Sequence, residues 1–372
     1  MSKTLVAISA IIGTVIGAGV LGIPYVVAKS GFPIGIAHMI LIGIFVTLTM
    51  LYLGEITLRT KQDHQLTGYA SKYLGKNGRK IMLLAFIFEV FSALVAYMIG
   101  EGESFSNILF GTSAYSVHLA IAFWLFMSFV TYFGLKALEE GESIGVIFLI
   151  VMLISVAIFA GTKINPQNLA EMHPENWFTP FGVILFAFLG FTIIPELERI
   201  LGKEKRLLMR SVIIANVICF VLYALFTITV VGFKGTGTPE IATIALGRPF
   251  ILLGIFTMFT SYLALATAFI DTLRLDFKKH KITAWLITSI VPAILYLILK
   301  FTNNTSFTKV LSFGGILAGG LMAALIMFMV EKAKKYGDDK PAYSMPYHPA
   351  VKWIIIALFV IGMFLEIKAL LA

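Results

Sequence analysis

Eleven apolar runs, each long enough to cross a bilayer as a helix, follow one another at about residues 4–28, 33–58, 81–109, 116–135, 143–161, 178–200, 207–232, 249–271, 282–300, 308–331 and 351–371. In hydrocarbon every backbone N–H and C=O must find its partner inside the protein, so runs of this length fold as helices. The pattern predicts an all-α polytopic membrane protein with 11 transmembrane helices. Composition agrees. The chain is 59% hydrophobic and 13% charged, with a mean hydropathy of +0.93, unlike soluble domains. A single cysteine, Cys219, leaves no intrachain disulfide to form. Lys3 before an apolar run has the look of a signal peptide, but the run passes Pro24 and reaches Ala28, so it reads as a span.

The net charge of +9 is distributed in a way that argues against a nucleic-acid partner. Counted alternately across the spans from a cytoplasmic Lys3, 22 of the 29 Lys and Arg fall inside. They cluster between Arg59 and Lys80, at Lys136, and between Arg199 and Arg210, Arg274 and Lys281, and Lys332 and Lys352. The other 7, including Lys29, Lys163 and Lys234, fall outside. This asymmetry orients a chain in the cell (plasma) membrane with the N-terminus cytoplasmic and the C-terminus outside. Between spans, Leu66, Tyr69, Tyr73 and Leu74 stand at helical spacing and predict a short interfacial helix within 62–80. Thr238 and Pro239 mark either a helix start over an outer vestibule or a plain connector. The expected organisation is a transporter core over 1–335, with helices 1–5 at about 4–161 and helices 6–10 at about 178–331; a cytoplasmic linker and helix 11 follow over 336–372.

The first span is poor helix material. Gly13, Gly17, Gly19 and Gly22 loosen it and Pro24 interrupts it, at costs of roughly 1 kcal/mol for a glycine and about 3 kcal/mol for a proline. The sixth span has the same spacing: Gly190 precedes Pro195 by five residues, as Gly19 precedes Pro24. Both open successive groups of five spans, and five crossings reverse direction. The pattern is a 5+5 inverted repeat with helices 1 and 6 unwound at mid-membrane, plus one extra C-terminal helix. Irregular backbone survives at that depth only where it is buried in protein or lines a cavity. Matched interruptions in two halves point to a transporter's binding site. Freed N–H groups at the start of one half-helix attract an anion, and freed C=O groups at the end of the other attract a cation, so a zwitterion fits.

At these residues the sequence resembles the amino acid/auxin permease family, within the amino acid–polyamine–organocation transporters of the leucine-transporter fold. The matching stretches are "GTVIGAGVLGIPY", "AYMIGEGES", "FAFLGFTIIPELE" and "FTSYLALATAFIDTL". The resemblance implies cation-coupled (Na+ or H+) transport of an amino acid by alternating access. It also implies a sodium site joining the Gly13 and Ile16 carbonyls to the Thr257 carbonyl and the Thr260 and Ser261 hydroxyls. Membrane-buried Ser and Thr equally often bond back to their own helix. No lysine in 143–161 replaces such an ion.

Gly17, Ala18, Gly19 and Val20 would present N–H groups to a substrate carboxylate, although Gly13-x-x-x-Gly17 is also a helix-packing motif. Carbonyls between Ala187 and Gly190 would accept from the substrate ammonium, with Phe186, Phe188 or Phe191 closing over its side chain or simply filling the core. Tyr97 is a substrate-binding candidate and shares a helix face with Glu101. Glu101 and Glu103 read as solvated at the outer interface. Glu89, deeper, is a candidate proton carrier or the partner of a basic residue. Glu55 with Arg59, and Glu196 and Glu198 with Arg199, read as local pairs.

All six histidines stand at span ends or in loops, which argues against a metal or haem enzyme, and no GxxxxGK[ST] phosphate loop is present. No filter segment or charge ring marks a channel. The sequence therefore reads as a secondary transporter for a neutral amino acid, not an enzyme, with no cofactor beyond a possible Na+ ion. An exchanger or sensor using the same site is the alternative, and a multi-pass membrane enzyme a distant one.

Overall fold

The computed structural model describes residues 2–133, 142–275 and 277–371. Lys136, counted above among the inside charges, and the end of the 116–135 run lie outside the described residues. Among the described residues the regular structure is helical, apart from an isolated bridge between Gly31 and Met172. The helices are α1 (Lys3–Val15), α2 (Gly19–Ser30), α3 (Phe32–Leu58), α4 (Leu66–Phe110), α5 (Ser116–Phe133), α6 (Glu142–Gly161), α7 (Pro166–Ala170), α8 (Pro180–Phe188) and α9 (Ile194–Leu201). They continue with α10 (Leu207–Lys234), α11 (Arg248–Leu275), α12 (Lys281–Phe301), α13 (Phe307–Gly314), α14 (Gly320–Tyr336) and α15 (Pro349–Leu371). Among the described residues eight helices are long and apolar enough to cross a membrane, or nine if the bent α1–α2 pair counts as one span. The chain is a multi-span helical membrane protein.

Two interruptions organise the core. α1 ends at Val15 and α2 begins at Gly19, the two axes bending by 56°. Ile16 leaves the helical region (φ −87°, ψ 88°), and the Gly17 N–H turns back to Val15 O at 3.1 Å. A continuous helix would give that N–H to the Gly13 carbonyl. In the second interruption α8 stops at Phe188, Leu189 is extended (φ −63°, ψ 124°), and a 3₁₀ turn over Phe191–Ile193 leads into α9. α2 packs along α8 and α1 along α9. The second half of one broken span thus faces the first half of the other, and the two run antiparallel side by side.

Two connecting segments show how the chain turns between spans. The expected short helix in 62–80 is present: a helical stretch starts at Leu66, carries Tyr69, Tyr73 and Leu74, and breaks at Gly75 (φ 75°, ψ −165°), after which α4 resumes and runs to Phe110. Glycine adopts that positive-φ backbone without a Cβ clash, so the chain kinks there between the two helical pieces. The 234–248 segment contains two 3₁₀ turns, Gly235–Gly237 and Ala242–Leu246. Thr238 starts no helix; its hydroxyl instead donates back to Gly235 O at 2.8 Å.

Residues 337–348 form a strap across the end of α3. The Tyr343 hydroxyl donates to Leu51 O (2.7 Å), the Tyr52 hydroxyl to Pro346 O (2.7 Å), and Lys334 to Met345 O (2.8 Å). Asp338 at its start pairs with Lys72 of α4, and this ammonium contact holds the Asp338 carboxyl below its ordinary range. Beneath the strap lies Glu55, fully buried. It accepts from Arg59 (2.8 Å), Lys334 (2.6 Å), the Ser344 hydroxyl (2.9 Å) and the Met345 N–H (2.8 Å).

Candidate functional site

The two interruptions meet. A Cβ on Gly19 would lie 2.6 Å from Ala187 Cα, and one on Gly190 would lie 2.6 Å from Val15 Cγ2. Each glycine lets its span approach the end of the other span's first half-helix, closer than any side chain would permit. The Cβ side of Gly19 is turned onto Ala187. Ala18 and Val20 are buried beside it.

The ends of α1 and α8 converge on a residue that the sequence reading passed over. The Tyr223 hydroxyl, on α10, reaches Val15 O at 2.9 Å and Ala187 O at 2.7 Å. Carbonyls freed at the C-terminal ends of half-helices carry partial negative charge, and one O–H proton is shared between two of them. Tyr223 therefore locks both breaks together. The signal in the sequence was faint, a tyrosine hydroxyl midway along a span that also carries Asn216, Thr227 and Thr229.

On the other side of the first break, a Cβ on Gly17 would stand 3.1 Å from the Tyr97 hydroxyl and 3.4 Å from Ser261 Oγ. Tyr97 hydrogen-bonds to the Ser261 side chain and the Ala18 backbone, and its ring lies 6.3 Å from that of Tyr262. Gly17, Ala18, Tyr97 and Ser261 thus form one polar cluster drawn from α4, α11 and the break. The three phenylalanines are placed differently. Phe188 is fully buried and meets Tyr223 edge-on at 5.2 Å. Phe191 is 1% exposed, and Phe186 lies against Gly314 and Gly315.

Of the oxygen donors grouped above, Ser261 faces the break. The Thr260 hydroxyl donates to Thr257 O (3.0 Å) and Phe256 O (3.2 Å), and the Thr257 hydroxyl to Leu253 O (2.9 Å). Those two hydroxyls bond back to their own helix, and the Thr257 carbonyl is already an acceptor. Their oxygens keep lone pairs, and with the Gly13 and Ile16 carbonyls and Ser261 they remain hard donors of the kind a small cation takes. Glu55 pairs with Arg59 and Glu196 with Arg199 (3.1 Å), but Glu198 pairs with Lys205 rather than Arg199.

Glu101 requires a correction. It is not at a solvated interface: it is fully buried, and neither carboxyl oxygen has a hydrogen-bond partner among the described residues. Hydropathy located the residue along the span but carried no information on which neighbours cover it. Glu103, two residues on, is only partly buried. Glu89 is 6% exposed, and its Oε2 has no hydrogen-bond partner among the described residues.

Two broken, antiparallel spans thus cross around a small polar cluster in a multi-span helical membrane protein. The model of the tryptophan/tyrosine permease family matches residues 1–368, and the chain belongs to that family. Its relatives are amino acid transporters, and it is not an enzyme. Glutamine transporter 2 of Aliivibrio fischeri is 27% identical, over 91% of this chain and 91% of that protein. Tyrosine-specific transport system 1 of Haemophilus influenzae is 26% identical over 62% of this chain and 58% of its own length. Lysine histidine transporter-like 4 of Arabidopsis thaliana is 23% identical over 66% and 59%. The chain thus spans under two thirds of the length of the latter two.

Proposed function

We propose that the protein is a secondary active transporter that takes up a neutral amino acid by alternating access, driven by Na+ or H+. The observation that carries this reading is the meeting of Val15, Gly19, Ala187 and Gly190 at the crossing of two broken spans, with Tyr223 bridging them. Such a crossing brings half-helix ends of both signs to one place. The antiparallel pairing of these spans supports a 5+5 inverted repeat of the leucine-transporter fold, with α15 as an eleventh helix. The charge asymmetry supports a cytoplasmic N-terminus and an outer C-terminus in the plasma membrane.

In this reading the substrate ammonium competes with Tyr223 for the Ala187 carbonyl, and the carboxylate docks on the Gly17–Ala18 amides beside Tyr97. A coupling Na+ would be held by the Gly13 and Ile16 carbonyls with Thr257, Thr260 and Ser261, supplying fixed positive charge beside the carboxylate. A membrane potential contributes ~2.3 kcal/mol per charge per 100 mV. At about 1.36 kcal/mol per decade, one coupled charge supports roughly fifty-fold accumulation.

The test is uptake into proteoliposomes from a panel of labelled amino acids led by tyrosine, tryptophan and glutamine, under Na+, pH or no gradient. Accumulation of a neutral amino acid only under an ion gradient is the expected result. Exchange without gradient-driven accumulation would reduce the protein to an exchanger, and no flux of any amino acid would refute the reading.

A further inference from the structure

The transport reading leaves two buried carboxyl groups on α4, Glu89 and Glu101, without a task, and Glu101 is the more completely enclosed. Glu101 stands one turn, about 6 Å, beyond Tyr97 on α4. It is fully buried, and neither oxygen has a partner among the described residues. A carboxylate ion in such a place is heavily penalised, and the group escapes by binding a proton.

Among the described residues no countercharge is paired with it. His118 on α5, Arg248 on α11, Lys300 on α12 and Lys309 on α13 stand at or near the ends of helices that pack on α4, and all four are exposed. α14, also packed on α4, has its charged residues at Glu331 and beyond. On α4 itself Glu103 is the acidic neighbour, and it lies within electrostatic reach of Glu240 and Lys300. Glu240 is held by the Ser306 hydroxyl (2.9 Å) and the Thr308 N–H (3.1 Å). Tyr97, Tyr262 and Tyr296 are further titratable side chains in this region, and all three are buried.

We infer that Glu101 is a proton-binding site of the transport cycle, which holds a proton while the carrier is closed and yields it to water when a gate opens. The step balances simply: the carboxylic O–H bond breaks, its electron pair stays on the carboxylate, and the proton passes to water. Opening lowers the penalty on the ion, so release follows access. Because Glu101 lies one turn from Tyr97, which touches Ala18 and Ser261, rearrangement of the break around substrate reaches Glu101 along a single helix. Glu89, a candidate from the sequence alone, lies eight residues from Tyr97 on its other side and is slightly less enclosed, at 6% exposed against 0% for Glu101.

This inference rests on the transport reading, and one reconstitution separates their failures. Labelled tyrosine, tryptophan and glutamine are followed in proteoliposomes, first as counterflow at equal pH and then as accumulation under an inside-alkaline gradient. Glu101→Gln, isosteric and permanently neutral, is expected to keep counterflow within about threefold of wild type and to lose gradient-driven accumulation, while Glu89→Gln keeps both. A Glu101→Gln protein that still accumulates, or that loses counterflow together with accumulation, overturns the inference. If Glu101→Gln fails to fold, an internal pH dye in wild-type vesicles decides: substrate entry should carry protons inward, and entry without proton movement overturns the inference. Wild-type protein that shows counterflow but whose accumulation ignores the pH gradient sinks this inference alone; absence of any wild-type counterflow sinks the transport reading and this inference with it.

Discussion

Glu55 on α3 and Glu101 on α4 are equally buried and oppositely furnished. Glu55 receives hydrogen bonds from two cations, a hydroxyl and a backbone amide. Glu101 receives none among the described residues. A buried carboxylate with a full set of donors remains ionised and ties together the elements that supply them. Here those elements are α3, α14 and the strap. A buried carboxyl with no donors is tolerated only as the neutral acid and contributes nothing to holding the fold. The first is a structural joint; the second makes sense as a part that changes state.

That contrast can be broken most directly at Glu55. Replacing it with leucine strands Arg59 and Lys334 in a largely buried position. The expected cost is about 3 kcal/mol, the lower end for a broken buried pair because both cations are partly exposed. It should appear as a large fall in the thermal midpoint of detergent-purified protein. A Glu55→Leu protein as heat-resistant as wild type would dissolve the distinction.

Tyr223→Phe probes the same principle at mid-membrane. It removes the donor shared by Val15 O and Ala187 O, at an expected cost of about 1–2 kcal/mol. Hydrogen exchange of the amides around both breaks should rise together. A rise at only one break would show that the hydroxyl serves a single carbonyl.

Glu101→Leu should leave thermal stability within about 0.5 kcal/mol of wild type or raise it, since no partner is orphaned and an unsatisfied group is removed. A clear loss of stability would reveal a partner and sharpen the contrast in the opposite sense.

The smallest effect belongs to Asp338, exposed at the start of the strap. Its carboxyl titrates below the ordinary range because of Lys72. The tie is therefore fully present above the usual carboxylate pKa and fades as pH falls through the depressed value. Limited proteolysis across residues 337–348 should be unchanged from neutral to mildly acidic pH, increasing only in stronger acid. Asp338→Asn should remove that pH dependence with little change in the melting temperature.

These regions were unequally legible in the sequence. The interruption at Gly17–Gly19 could be read because glycine and proline report on backbone conformation locally, and Gly190 with Pro195 gave the second. The Glu55–Arg59 pair followed from i,i+4 spacing. Lys334, Ser344 and Met345 did not, since nothing local connects a lysine to a carboxylate 279 residues earlier. Tyr223 and the burial of Glu101 escaped for the same reason: both depend on which helices pack together. Gly19 was legible as important, but its contact with Ala187 was not, because that too depends on which helices pack together.

The strap also fixes an order of events. Ribosomes deliver this chain from the N-terminus, so Glu55 enters the membrane when only Arg59, among its partners, exists. Lys334, Ser344 and Met345 arrive after nearly all the remaining spans have been threaded. The C-terminal end of α3 must wait through most of translation with a half-answered charge, and it closes only when residues 337–348 are laid over it. A nascent chain halted before residue 334 should therefore be a ready substrate for quality-control proteases at that end, and release of the strap should end that susceptibility.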